Sequence, residues 1–199
     1  MRQTGGTVRY FHGYRPLEFM RNAICQDFLD SDCDRLWFLD ADMVPPANAG
    51  TILDCNSDIV AGTVIGYKQD KTNGGILLQI LAWTDDPWRS VKPSDRPMDV
   101  AAAGTGSMVI HRRVLEDPHI LLEPTAADAP APAIFRRRFL PWGAVDMTAD
   151  LDFCERARGL GYRITLWPGI YGQLETLNLL DVSLHAARLA RGNHKDSES

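Results

Sequence analysis

Leu36-Trp37-Phe38-Leu39-Asp40-Ala41-Asp42-Met43-Val44-Pro45-Pro46 is the stretch on which the reading of this chain turns. Four apolar residues run without interruption and stop at Asp40, the pattern of a strand buried on both faces in a parallel sheet. Pro45 and Pro46 cannot continue a ladder, so the strand ends and a short helix is predicted to run from there to about Leu53. In α/β sheets ligands sit at the carboxyl ends of strands, which is where Asp40 and Asp42 fall. If the chain stays extended, residues i and i+2 point the same way, with α-carbons ~7 Å apart at a rise of ~3.3 Å per residue. Two carboxylates so placed reach one hard divalent cation, or one cation and the ribose of a nucleotide. Oxygen-only ligation suits Mg²⁺ or Mn²⁺. The alternative is a solvated strand end in which Asp serves as turn former and helix cap.

Outward from this stretch, helical and strand signals alternate. Pro16 to Leu29 carries Leu17, Met20, Ile24 and Phe28 at helical spacing, with Pro16 as a first-turn residue. Asp58 to Tyr67 is rich in β-branched residues and reads as a strand, as do Gly74 to Trp83, Met98 to Ala103, Ser107 to His111 and Arg163 to Trp167. Arg112 to Glu116 begins a helix, and Ala149 to Leu160 is a helix that Gly161 ends. Glu123 to Pro132 is predicted as a mobile loop, and Leu177, Leu180, Leu184 and Ala187 mark a last helix before a disordered tail at 192–199. The order implies an α/β domain over residues 1–191 with a mostly parallel sheet flanked by helices.

Length and composition narrow the function classes. The chain of 199 residues suits one domain, and 45% hydrophobic with 24% charged residues is globular composition, which excludes a disordered chain, a collagen-like repeat or a coiled coil. A formal net charge of −5 argues against a general nucleic-acid binder, which needs surplus cations to displace counterions. Cys25, Cys33, Cys55 and Cys154 form no C-x-x-C pair and read as reduced thiols of a cytoplasmic protein. Ile76 to Trp83 is among the longest apolar runs and falls far short of the ~20 residues of a spanning helix. A transmembrane segment is not expected, while a peripheral contact with membrane-bound acceptors stays open.

A second acidic cluster, Asp150-Leu151-Asp152-Phe153-Cys154-Glu155, opens the helix at 149–160. Acids in a first helical turn are favoured by the dipole whatever the function. A carboxylate there that faces Asp40 and Asp42 is also placed to act as general base.

Three ordered segments give the chain a resemblance. Leu36 to Pro46, preceded by Met20-Arg21-Asn22, resembles the core of family 2-type glycosyltransferases with the GT-A fold, a Rossmann-like architecture; the likeness is closest to their compact, often phage-encoded or metagenomic members. Gly104-Thr105-Gly106-Ser107-Met108-Val109-Ile110 followed by Arg112-Arg113-Val114-Leu115 is similar to their glycine-flanked strand leading into a helix. Asp150 to Arg163 is similar to their acidic helix ending in Gly-Tyr-Arg. The resemblance implies a metal-dependent, inverting transfer of a sugar from a nucleotide-diphosphate sugar to a glycan, lipid or other hydroxyl acceptor. It implies Asp40 at the ribose or metal, Asp42 on Mn²⁺ or Mg²⁺ and Asp150 as base. Arg21, Asn22, Gly104, Thr105 and Gly106 are implied to line the donor site, with Ser107 beside them.

The same likeness marks departures. Ala149 stands where the family has a glutamate before the base, and Gln173 stands where a histidine ligand is common, so Gln173 is the implied third metal ligand. Val8 to Phe11 matches the family's second strand, and its first strand has no counterpart. Arg136-Arg137-Arg138 either closes over the diphosphate or forms an exposed basic turn, and Trp142 either stacks on a sugar or anchors its loop in the core. His185 falls on the polar face of the last helix, where a surface role is expected.

Two further readings remain. A degenerate domain that binds nucleotide or glycan without turnover accommodates Ala149 and Gln173. A haloacid dehalogenase-type phosphatase would use Asp40 as nucleophile and recruit Asp85, Asp86 and Lys92, although Pro45-Pro46 fits that pattern badly.

Overall fold

The computed structural model of the chain describes residues 6–11, 16–69, 76–85, 90–122 and 133–173, with the backbone alone at 67–69, 76–79 and 172–173. The expected loop at 123–132, the last helix with His185, and the tail lie outside the described residues.

The elements follow in the order α1 (Leu17–Leu29), β1 (Arg35–Leu39), β2 (Met43–Val44), a 3₁₀ turn (Ala49–Asp54), β3 (Ile59–Gln69), β4 (Ile76–Ile80), β5 (Ala82–Trp83), β6 (Met98–Asp99), β7 (Ala102–Ala103), β8 (Ser107–His111), α2 (Arg112–Leu115), β9 (Arg138–Phe139), β10 (Val145–Met147), α3 (Ala149–Gly159) and β11 (Ile164–Gln173). The central sheet runs β1-β8-β3-β11-β2, with β4 added beside β3 and β6 beside β11. Apolar residues fill both of its faces. Phe38, Ile59, Ala61, Met108 and Ile110 pack with Cys25 and Phe28 of α1 and Phe153 and Ala157 of α3. Val60, Val64, Val109 and Tyr171 pack with Ile52 of the 3₁₀ turn. Leu36 and Phe38 of β1 face the first of these clusters and Trp37 the second, which is why the strand reads as an apolar run, while Leu39 at its end is exposed.

The expectation of a mostly parallel sheet is corrected. Among the described pairings only β3–β11 is parallel. β8 is antiparallel to both β1 and β3, so β1, β3 and β11 run the same way with β8 reversed between them. An apolar run reports burial on two faces and is silent on the direction of the neighbouring strand. The consequence is that the end of β1, at Asp40, and the start of β8, after Gly104-Thr105-Gly106, share one edge of the sheet. Leu39 pairs with Ser107, and the Asp40 N–H donates to the Gly106 carbonyl at 3.0 Å.

Other boundaries also move. Val8 to Phe11, expected as a strand, has no regular structure, and Val8 and Tyr10 are exposed. The short helix expected from Pro45 to about Leu53 starts later and is a 3₁₀ turn at Ala49–Asp54, and the two-residue β2 stands before Pro45. The strand expected at 98–103 divides at Val100 and Ala101, with β6 on β11 and β7 on β5. Gly161 performs as expected. At φ +90 it donates to the Arg158 carbonyl while Tyr162 donates to Ala157, the paired bonds of a Schellman motif that stops α3. Among the described residues no helix is long and apolar enough to cross a membrane, and all four cysteines are free. Cys154 is fully buried, and its thiol is pushed up to about 12, so it stays protonated and unreactive.

Candidate active site

Asp40 and Asp42 do not lie in an extended strand end. The Met43 N–H donates to the Asp40 carbonyl at 3.0 Å, which closes a four-residue turn from Asp40 to Met43. Asp is a natural turn former, and the turn replaces the same-side spacing expected for a strand. Asp40 is half-buried and Asp42 exposed. The turn leads into β2, where Met43 pairs with Gln173 and Val44 with Gly172. The backbone of Gln173 therefore lies one residue from Asp42 across the sheet edge; its side chain lies outside the described part.

Asp150 reaches the same edge from the first turn of α3. The Arg21 Nη1 donates to Asp150 Oδ1 at 2.9 Å, and the Thr105 N–H lies 3.4 Å from Asp150 Oδ2. A Cβ on Gly104 would stand 3.9 Å from that oxygen, so the glycine leaves the carboxylate room on this side. Arg21, buried on α1 and 129 residues away in sequence, and the Gly104-Thr105 segment thus converge on Asp150. The Arg21 guanidinium also lies 5.9 Å from the centroid of the Phe135 ring. Phe135 packs edge-on against Phe38 at 5.6 Å and, tilted by 34°, against Phe153 at 4.6 Å, so the charge rests on a fixed aromatic floor.

The electrostatics put the acids together. Burial holds the Asp40 carboxyl above its ordinary range; Arg21 pulls it down, and Asp42 and Asp150 push it up. A folded-state value above the unfolded one means that ionised Asp40 costs stability. That cost is absent below the ordinary value of 3.8 and builds as the pH rises through the raised one. Asp40→Asn is accordingly expected to be more stable than the parent at neutral pH and to lose that advantage near pH 3. Urea denaturation at the two pH values measures it, and an equal difference at both would assign the effect to something other than Asp40 ionisation.

A hollow of about 300 Å³ opens here, lined by Leu17, Glu18, Arg21, Arg137, Val145, Thr148, Ala149 and Asp150. Sequence reasoning missed Glu18 and Val145. Glu18 was within reach, since positions 18 and 21 share a helix face. The three arginines after Phe135 are each matched to acids. Arg136 approaches Asp152 at 3.7 Å and Arg137 approaches Glu18 at 3.4 Å, while Arg138 donates to Asp146 and to Glu155, both at 2.6 Å. Arg137 alone of them lines the hollow.

Several expected donor contacts are placed otherwise. Asn22 is buried, and its carbonyl accepts from the N–H groups of Ile134 and Phe135 at 2.9 and 2.7 Å. Its amide donates to the Phe135 carbonyl at 2.9 Å, so Asn22 is a strut for that segment and faces no open surface. Thr105 is buried and its hydroxyl has no partner among the described residues; its backbone N–H meets Asp150. Ser107 is buried and accepts from Trp37 Nε1 at 3.1 Å, tying β8 to β1. Asp85 sits at the opposite end of the sheet, paired with Arg158, on a larger hollow of about 450 Å³ that also touches Asp99, Tyr162 and Arg163. It is not placed to serve Asp40 as a phosphatase partner.

No protein-family model and no curated protein matches the chain. Among solved structures it is similar to the crystal structure of A197 from STIV, with a TM-score of 0.44 and 21% sequence identity. The likeness covers 77% of this chain and 64% of that one, so the chain spans less than two thirds of the length of the structure it matches.

Proposed function

We propose that the chain is a glycosyltransferase of GT-A type that moves a sugar from a nucleotide-diphosphate sugar to an acceptor hydroxyl. One observation carries the reading: the Asp40–Asp42 turn, the Gly104-Thr105-Gly106 turn and Asp150 meet at one sheet edge around Arg21. In this reading Asp150 takes the proton of the acceptor hydroxyl as its oxygen attacks the anomeric carbon and the bond to the donor phosphate breaks. Arg21 holds Oδ1 and leaves Oδ2, beside Gly104, as the atom that faces the incoming proton. Gly104 and Gly106 let the backbone approach the donor closely.

The residues suit a divalent cation. Asp40 and Asp42 offer only oxygen; burial first, and then the neighbouring Asp42 and Asp150, raise the Asp40 carboxyl against the pull of Arg21. Among the described residues no three His, Cys, Asp or Glu side chains gather into a metal-binding group; in this reading Asp40 and Asp42 are the carboxylates that would hold the ion. That is the donor set of Mg²⁺ or Mn²⁺ held jointly with phosphates. When bound, such an ion supplies Lewis-acid stabilisation of the departing diphosphate.

The test is thermal stability against UDP, GDP, CDP and dTDP, with and without Mn²⁺, for the parent and Asp42→Asn. A nucleotide at a hundred times its dissociation constant adds about 2.7 kcal/mol of apparent stability. The expected result is a shift for one nucleotide that requires Mn²⁺ and is lost in Asp42→Asn. A cooperatively folded protein that responds to none of them would overturn the proposal. The second reading, binding without turnover, is favoured by the Arg21–Asp150 pair itself, because Oδ1 is already occupied by the guanidinium and only Oδ2 is left to meet an acceptor hydroxyl. Glycan or nucleotide binding that Asp150→Asn leaves unchanged, with no transfer by the parent, would select it.

A further inference from the structure

The segment between the aromatic floor and α3 forms a tight hairpin. β9 and β10 are antiparallel, with Val145 opposite Phe139 and Met147 opposite Arg138. Pro141-Trp142-Gly143 makes the loop: Gly143 donates to the Leu140 carbonyl at 2.8 Å, and Leu140 donates to Ala144 at 2.8 Å. Pro141 presets the first turn position, and Gly143 takes the left-handed conformation at φ +88 that closes such three-residue loops. Nothing in that turn calls for an aromatic residue between them. Trp142 nevertheless occupies the tip and is 75% exposed, with Phe139 at 57% and Val145 at 49%. The core-anchor alternative for Trp142 is thereby excluded.

The hairpin is fixed and not merely exposed. Arg138 bonds Asp146 within it and Glu155 on α3, and these acids hold the guanidinium more firmly protonated than usual. The same helix carries Asp150 in its first turn. Val145 lines the hollow that contains Asp150 and Arg21, and Phe139 stands on the same face of the hairpin as its cross-strand partner. An apolar strip therefore runs from the wall of the Asp150 hollow through Val145 and Phe139 to the indole at the tip.

We infer that this hairpin is a saccharide-binding platform, on which Trp142 and Phe139 stack against the C–H faces of sugar rings while Arg137 and Glu18 meet their hydroxyls. This rests on the transferase reading for its role, since the bound sugar is then the acceptor whose terminal hydroxyl reaches Asp150. The charge pattern selects the ligand. Among the described residues, Arg136, Arg137 and Arg138 of the platform each face a carboxylate, which offsets the cations that would draw an anionic bilayer or a nucleic-acid backbone. A neutral ligand that is apolar on its ring faces and hydroxylated at its edges matches two open aromatic rings bordered by a guanidinium–carboxylate pair. Exposed aromatic side chains grouped in this way mark an interaction site on a soluble surface.

The experiment uses the full chain and tetrasaccharides of glucose, N-acetylglucosamine, mannose and galactose, with saturation-transfer NMR to detect binding and calorimetry to measure it. Trp142→Ala and Trp142→Phe are compared with the parent, and vesicles of phosphatidylcholine with phosphatidylglycerol form a separate arm. The expected result is that at least one saccharide binds, that Trp142→Ala weakens it roughly tenfold or more, as loss of an aromatic stacking partner does, and that Trp142→Phe recovers most of it. The Mn²⁺-dependent nucleotide shift of Trp142→Ala should equal that of the parent. Absence of binding by all four saccharides, or binding that Trp142→Ala leaves intact, overturns the platform, as does Trp142-dependent sedimentation with vesicles in place of saccharide binding. Trp142-dependent saccharide binding without any nucleotide response keeps the platform and removes the transferase reading. An Asp42-dependent nucleotide response without saccharide binding does the reverse.

Discussion

Asp150→Asn is expected to lower sugar transfer by about 10²–10⁴, the range that a positioned general base contributes, while the nucleotide-dependent thermal shift persists. The geometry makes this an informative substitution. Asparagine fills the same volume, yet the site asks both of its terminal atoms to accept, one from Arg21 Nη1 and one from the Thr105 N–H. An amide satisfies only one of them, so it loses the proton-accepting oxygen and one orienting contact together. Arg21→Met should damage transfer as severely, through another route. It leaves Asp150 unheld and removes from Asp40 the one cation that offsets its burial and its two acidic neighbours. Arg21→Lys keeps the charge without the planar fork and should fall between the parent and Arg21→Met. Because Arg21 and Asp150 form one hydrogen-bonded unit, the loss in the double variant Arg21→Met/Asp150→Asn should be smaller than the two single losses combined. Steady-state kinetics of the four proteins measures this. Turnover by Asp150→Asn within about threefold of the parent would remove Asp150 from the role of base.

The residues that announced themselves in the sequence did so through local chemistry. β1 was legible because Leu36 and Phe38 pack into one core and Trp37 into the other, although Leu39 at its end is exposed, and the end of α3 because Gly161 is where a left-handed residue is needed. Asp40 and Asp42 were legible as an acidic strand end, but not as a turn, since an Asp that caps a turn and an Asp that ends a strand look alike in sequence. Strand direction was not legible: β8 is apolar whichever way it runs, and only its pairing with β1 and β3 reverses it. The β9–β10 hairpin was missed because two- and three-residue strands carry no periodicity, although Leu140-Pro141-Trp142-Gly143-Ala144 contains the proline and glycine that shape its loop. Arg21 and Asn22 show the deepest limit. They are neighbours on α1 and were grouped as donor contacts, yet one turns to Asp150 and the other to the backbone 112 and 113 residues away. Partners at that separation leave no local signature in a single chain.

Asn22→Leu is expected to destabilise the fold by about 3–5 kcal/mol, a large share of the roughly 5–15 kcal/mol that holds a typical domain together. Leucine matches asparagine in shape and fills the site without a cavity, so the cost comes from three backbone groups. The N–H groups of Ile134 and Phe135 and the carbonyl of Phe135 lose their partner in a buried place that water does not reach. Each such orphan costs about 1–3 kcal/mol, with some recovered by relaxation. Arg156, which donates to the Ile134 and Ile120 carbonyls and pairs with buried Asp152 at 2.9 Å, holds the same segment from α3. Losses from Asn22→Leu and Arg156→Met should therefore combine non-additively. Asn22→Asp separates hydrogen bonding from shape. Its carboxylate accepts from both N–H groups but turns a second oxygen toward the Phe135 carbonyl, whereas the protonated acid donates there as the amide did. Burial and that carbonyl raise the folded-state pKa, so the penalty is present at neutral pH and is relieved as the pH falls through the raised value. Urea denaturation of the three variants at neutral and acidic pH reads these differences directly. If Asn22 were a donor contact, Asn22→Leu would keep its stability within about 1 kcal/mol and lose the nucleotide shift. A strut predicts the opposite order, because Phe135 is the floor under Arg21, and the strand that follows it carries Arg137 to the hollow and Trp142 to the hairpin tip.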